Sequence, residues 1–298
     1  SGVFEGRTTG TPISLIIYNR DERSQDYEDI KDVYRPGHAD FTYDQKYGFR
    51  DYRGGGRSSG RETVARVAAG AIAKSILSEF DIDIIAYTYS IGNISIDENS
   101  IDKSTIYKNP VRMPDSNAAT LAKELIESTR KEGDSIGGIV ECTIEGLPTG
   151  IGEPVFDKLE ANISKAIMSI GATRGIEFGA GFDIAKMKGS EANDCYRIDN
   201  DGSIEKDTNH SSGLGGGISD GSPIIFRTVL KPTPSIALPQ KTMTNDMKNT
   251  TIRIHGRHDP CIVPRAVPVI EAMTAIAIVD LLFQRTLSHI DLIKKSLL

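Results

Sequence analysis

The residues able to do chemistry in this 298-residue chain gather at a few turns. The densest is Arg53–Arg66, where a glycine-rich turn carrying Arg53, Arg57, Arg61 and Arg66 runs into a helix start. Ser59 is a good N-cap and Glu62 stands three residues on, the pattern of a capping box. Free backbone N–H groups, a positive helix end and guanidinium forks suit a phosphate or a carboxylate. Upstream, Arg35-Pro36-Gly37-His38-Ala39-Asp40 presents a histidine on a fixed turn between an arginine and an aspartate. That setting raises His38 above an ordinary surface histidine. Lys231, opening Lys-Pro-Thr-Pro-Ser, and Arg257, within Gly-Arg-His-Asp-Pro-Cys, are cations beside glycine or proline. The common alternative is a set of surface salt bridges. Rigid neighbours at each cation favour an anionic small molecule instead.

Other chemistries fit less well. Gly213-Leu-Gly-Gly-Gly217 has the glycines of a dinucleotide loop but not the strand before it, the helix after it or the acid downstream. His255, His258 and Asp259 lack partners at metal-ligand spacing, which leaves them structural or acid–base roles. Arg-Gly-Gly-Gly-Arg occurs once and is capped into a helix, unlike disordered RNA-binding repeats. Net charge is −6 and the sequence pI about 5.5, so the arginines are local on an acidic body, and neither nucleic acid nor membrane is expected as a partner. No apolar run is read as membrane-spanning and no signal-peptide pattern is seen. Three separated cysteines, Cys142, Cys195 and Cys261, suit a reducing cytoplasm.

The elements that must position these groups follow from patterning. Ile13–Tyr18 is expected to be a short buried strand, and Ile82–Ile96 and Ile224–Leu230 to be strands. Ser135–Glu145 alternates like a half-exposed strand. Helices are expected over Thr63–Phe80, Asp115–Lys131, Pro154–Ile170 and Ala266–Gln284. The first of these carries Ala65, Ala68, Ala69, Gly70, Ala71 and Ala73, small residues that permit close helix approach. Gly171–Asp183 reads as glycine-punctuated, Ala185–Asp207 as weakly ordered, and Thr242–Thr251 as a hairpin-like loop. The chain has two broadly similar halves around Ser135, with no clean linker. An α+β protein of one domain, with antiparallel sheets covering helices and a possible internal pseudo-repeat, is the expectation.

Five motifs in series resemble chorismate synthase. They are Arg35-Pro-Gly-His-Ala-Asp40, Arg53-Gly-Gly-Gly-Arg-Ser-Ser-Gly-Arg-Glu62, Gly216-Gly-Ile-Ser219, Lys231-Pro-Thr-Pro-Ser235 and Gly256-Arg-His-Asp-Pro-Cys261. The resemblance spans Ser1 to about Arg285. It implies an FMN-dependent lyase of the shikimate pathway, and so of aromatic amino acid biosynthesis. Such an enzyme converts 5-enolpyruvylshikimate 3-phosphate to chorismate and phosphate by 1,4-elimination, with FMN in its reduced form, FMNH2. It also implies a β-α-β sandwich and a homotetramer. Some members reduce their own flavin with NADPH; no reductase domain is visible here, so an external flavin reductant is expected.

By matching position, His38 resembles the family proton donor near the flavin N1 edge. Asp259 resembles the aspartate that works with N5 in removing the ring proton. Arg57, Ser58, Ser59, Gly171, Ala172, Gly216, Lys231, Pro232, Thr233, Pro234, Ser235 and Arg257 match FMN contacts. Arg35, Arg61 and Arg257 remain as ligands for substrate anions. Gly60 and Gly171 depart conservatively from the usual residues. Family members also carry a Gly-Glu-Ser-His-Gly segment and an arginine-rich stretch ahead of the residues matching Ser1. These supply a second histidine and further arginines that the 298 residues do not include. The resemblance therefore implies little turnover by these residues alone, and its alternative is a flavin- and anion-binding fragment that is catalytically incomplete.

Overall fold

The computed structural model describes residues 1–19, 28, 30–53, 56–200, 202–254 and 258–297. A ribbon of β1 (Val3–Phe4) and β2 (Arg7–Thr8) comes first, then α1 (Asp40–Tyr47). Two 3-10 turns, Gly56–Ser58 and Gly60–Glu62, lead into α2 (Thr63–Ser78). Strand β3 (Asp83–Ile91) folds back at Gly92 into β4 (Ile94–Ser95). Next come α3 (Ser116–Lys131), β5 (Gly138–Glu145), α4 (Leu159–Met168), β6 (Thr173–Phe178) and the single turn α5 (Gly189–Ala192). Hairpin β7 (Tyr196–Ile198) with β8 (Ile204–Lys206) and ribbon β9 (Leu214–Gly215) with β10 (Ile218–Ser219) precede β11 (Ile224–Leu230). Hairpin β12 (Gln240–Met243) with β13 (Asn249–Ile252), then α6 (Val263–Arg285) and α7 (Ile290–Leu297), complete the order.

The architecture is antiparallel sheet and helix together, the α+β class expected. The main sheet has the order β4-β3-β5-β11-β6, antiparallel throughout, and the remaining sheets are two-stranded. Side chains alternate between its faces. Ile84, Ala86, Val140, Cys142, Ile144, Ile224 and Phe226 are buried in the core with α6 and α4. The other face holds a polar network in which Arg227 bonds Glu141 at 2.6 Å and stacks on Tyr89 at 4.1 Å, while Tyr87 donates to Glu141. Asp115 caps α3 by accepting from Asn117 and Ala118 N–H groups. Helices α2 and α6 cross so closely at Gly70 that a Cβ there would overlap Ala272, as the small-residue face predicts.

Several expectations change. Ile13–Tyr18 forms no strand, and Leu15, Ile16, Ile17 and Tyr18 are 53–79% exposed. An apolar run becomes a strand only where a neighbour takes its backbone groups, and among the described residues no strand lies beside it; Ser14 N donates to Ser1 O at 3.3 Å without extending a ladder. Within Ser135–Glu145, Gly138–Glu145 is the central strand, with Val140 to Ile144 buried on both faces. Its alternation reflects Glu141, bonded by Tyr87 and Arg227, and a buried Thr143, not an exposed side. The helix after Pro154 starts only at Leu159. The stretches read as glycine-punctuated and weakly ordered contain β6 and the β7–β8 hairpin. Both halves of the chain build one sheet, since β11 lies between β5 and β6. Finally, α6 is long and apolar enough to cross a membrane by length and composition. It is instead largely covered by α2, α4 and the sheet, with Val267, Ile270, Ala275 and Ile278 fully or nearly fully buried.

Candidate active site

Pro36 and Gly37 make a tight turn in which Arg35 O accepts from His38 N at 3.2 Å, and Gly37 has φ 69°. Proline ahead of a left-handed glycine is the type II signature. The turn lifts His38 over Asp40, the first residue of α1. His38 Nδ1 lies 2.8 Å from Asp40 Oδ1. Arg35 closes a two-pronged pair on the same carboxylate through Nε at 2.7 Å and Nη2 at 2.8 Å, and its own N–H adds a bond at 3.1 Å. Arg50 reaches Asp40 from beyond α1, with Nη1 at 3.0 Å, and touches Asp44 through Nε at 3.3 Å. Asp40 is 4% exposed. Burial would raise its pKa, but the bonds and charges of Arg35 and His38 prevail and hold the carboxyl well below the usual range.

Other segments converge on this turn. Lys231 Nζ donates to Gly37 O, and a Cβ on Gly37 would meet Pro234 at 3.3 Å. Lys231 N donates at 3.0 Å to Ala172 O. Ala172 has φ 73°, a left-handed conformation that costs a non-glycine residue roughly 1–2 kcal/mol. Beyond it the β6–β11 register slips, placing Arg174 in a bulge. Bulges re-aim side chains. Burial, then the nearby Arg174, lowers the pKa of Lys231. Neither cation has a carboxylate partner among the described residues. Ser135 Oγ donates to Thr233 O at 2.7 Å and Ile136 N to Pro260 O at 2.8 Å. Residues 135–136 thus bridge the Lys231–Ser235 segment to the turn holding Asp259. Asp259 Oδ1 pairs with Arg265 at 2.9 Å.

The arginine turn joins from the other side. A cavity of about 150 Å³ is lined by Ala39, Asp40 and Arg50 on one wall and Gly56, Arg57 and Ser58 on the other. Ser59 Oγ accepts from Arg61 N at 3.3 Å, so it caps the 3-10 turn and not α2. Glu62 pairs with Arg66 at 3.1 Å instead of completing a capping box. Arg57 and Arg61 are exposed, whereas Arg35 is 6% exposed and committed to Asp40. Gly216 stands apart. Its neighbour Gly217 accepts from Leu159 N at the start of α4, while Ser169 past the end of α4 meets Arg66. A ten-residue helix separates these points by about 15 Å. Arg257 and His255 lie outside the described residues.

Two contributors were not among the sequence candidates. Arg50 reaches Asp40 across a helix, and no local pattern announces it. Arg174 depends on the register slip between two strands.

The family model described as Chorismate synthase matches residues 1–283. A chorismate synthase of Lachnoclostridium phytofermentans is 56% identical over 295 residues, covering 99% of this chain and 80% of that protein. One from Methanococcoides burtonii is 56% identical over 283 residues, 94% of this chain and 77% of that protein. A solved structure described as a crystal structure of chorismate synthase superposes with a TM-score of 0.75 at 30% identity, over 96% of this chain and 77% of that one. A family match across nearly every residue, together with high identity to named relatives and a shared fold, leads to one conclusion: the chain belongs to the chorismate synthase family.

Proposed function

We propose that this chain carries the 1,4-elimination of phosphate from 5-enolpyruvylshikimate 3-phosphate, giving chorismate, as a lyase that uses reduced FMN, with the low turnover expected of these 298 residues without the family's second histidine and further arginines. The observation that carries the reading is the meeting of His38, Lys231–Ser235, Ala172 and the Arg57–Ser58 turn around one locus. The residues present fit a flavin phosphate. Thr233 Oγ1 is buried with no partner among the described residues, and Lys231 and Arg174 stand together without an acid. Both features call for an anionic, acceptor-rich ligand.

Arg57, Ser58, Ser59, Gly171, Ala172 and Lys231–Ser235 hold the cofactor in this reading. Reduced FMN supplies the electron density that departure of an allylic phosphate requires. Arg61 and Arg174 face the substrate anions, while Arg35 supports Asp40 instead of binding substrate. His38 holds a proton at Nε2 for the flavin edge, and Asp259 takes part in removing the ring proton. Gly216 stands apart from this cluster in the single chain, so a flavin contact there comes from another copy in the expected homotetramer.

The test is anaerobic incubation with chemically reduced FMN and the enolpyruvyl substrate, reading chorismate absorbance and phosphate release together. Stoichiometric chorismate and phosphate support the reading. Tight flavin binding without either product replaces it with the second reading, a flavin- and anion-binding module.

A further inference from the structure

We infer that Asp40 is the positioning residue of the acid–base histidine, holding the Nδ1–H of His38 so that Nε2 alone exchanges the proton. The assignment of proton chemistry to His38 rests on the function proposed above; the tautomer does not.

The argument is one of donors and acceptors. Nδ1 of His38 has two neighbours, Asp40 Oδ1 at 2.8 Å and Arg35 Nη2 at 3.1 Å. A guanidinium has only hydrogens to give, and an ionised carboxylate has only lone pairs. Arg35 Nη2 gives one hydrogen to Asp40 Oδ1 at 2.8 Å and has a second for Nδ1, but a bare Nδ1 would set its lone pair against a carboxylate oxygen 2.8 Å away. The short contact to Asp40 therefore requires a hydrogen on Nδ1. Either protonation state of the ring that satisfies this leaves Nε2 as the exchanging atom. Among the described residues, the hydrogen bonds of the His38 ring run through Nδ1. Its side chain is 16% exposed, enough for one edge to face a ligand.

The carboxylate is held as firmly as the ring. Arg35 grips it with three N–H groups, and Arg50 adds a second cation that is itself balanced by Asp44. On the far side of the turn, Lys231 anchors Gly37 O. Among the described residues, Asp51 and Arg57 also line the cavity that Asp40 and Arg50 face. The geometry follows the logic by which a buried aspartate fixes the tautomer of a catalytic histidine in other enzymes.

The test is ¹⁵N NMR of the full chain with labelled histidine, the His38 signals being assigned by His38→Gln. In the unprotonated ring, His38 is expected to carry its hydrogen on Nδ1, the minor tautomer of a free imidazole. Asp40→Asn should mix the tautomers and lower kcat about 10²-fold or more with KM for the substrate little changed. A wild-type His38 with its hydrogen on Nε2 overturns the inference. So does an Asp40→Asn variant with wild-type tautomer and kcat. If that variant does not fold, the wild-type tautomer alone decides. An Nδ1–H tautomer in a chain that makes no chorismate would uphold this inference while removing the proposed function.

Discussion

Glu271, on α6, is 6% exposed and serves the open edge of β3. Strand β4 pairs with β3 only at Ser90 and Ile91, so among the described residues the edge from Ile84 to Thr88 has no neighbouring strand, and only Thr88 N finds a backbone partner, Arg112 O at 3.0 Å. Glu271 Oε1 accepts from Ala86 N at 2.8 Å, and Oε2 accepts from Lys74 at 3.2 Å and Tyr107 at 3.1 Å. Lys74 in turn donates to Ile84 O at 2.9 Å. Replacing Glu271 by Ala leaves the Ala86 N–H buried and unmatched, a cost of about 1–3 kcal/mol. The vacated side-chain volume adds roughly 1–2 kcal/mol. Lys74, whose side chain is 38% exposed, turns to water and adds about 1 kcal/mol at most. Glu271→Ala should therefore cost about 3–5 kcal/mol in urea unfolding at unchanged m-value. Glu271→Gln keeps an oxygen for Ala86 and should cost about 1–2 kcal/mol. Amide exchange at Ala86 should quicken in the alanine variant ahead of its neighbours in β5. A loss below about 1 kcal/mol for Glu271→Ala, or a glutamine variant no better than alanine, would refute this account of the edge.

Two further predictions concern the helix crossing and Lys231. Gly70→Ala should destabilise by about 1–2 kcal/mol, overpacking against Ala272 outweighing the better helix propensity, and Gly70→Ala with Ala272→Gly should recover most of the loss; a Gly70→Ala single variant as stable as wild type contradicts the close crossing. The Lys231 ammonium has a pKa below its ordinary 10.5, so the unfolded chain binds more protons in the window just beneath that value and stability rises with pH there. Competitive acetylation read by mass spectrometry should find Lys231 deprotonating at lower pH than Lys186, whose partner Asp183 shifts it upward, and phosphate should suppress the difference; labelling of Lys231 that follows that of Lys186 argues against an anion site.

What the sequence made legible was what local chemistry decides. Ile224–Leu230 begins and ends as its alternation indicates, and Asp115 announces the start of α3. The Pro-Gly turn at His38 needs only its own dipeptide. Features set by distant partners were not legible. Ile13–Tyr18 is a strand by composition but has no partner strand among the described residues. Ser59 and Glu62 have capping-box spacing, yet Arg66 captures the glutamate. Arg35 reads as a substrate ligand in the sequence, and its pairing with Asp40 exists only after the turn closes. The gathering of residues 38, 172 and 231 depends on a sheet register that no single segment encodes.

The strand order has a consequence for how the chain is made. β5 and β6 are neighbours in sequence but not in the sheet, because β11 sits between them. During synthesis from the N-terminus, β5 has its β3 side filled while its other edge waits about 80 residues for Ile224–Leu230 to emerge. Until then β6 has no strand to join, and Ala172 and Arg174 have no Lys231 beside them. The helix that covers the sheet, α6, is made later still. Sheet closure, core burial and assembly of the anion site are therefore one late event, set by long-range pairing and not by any local element.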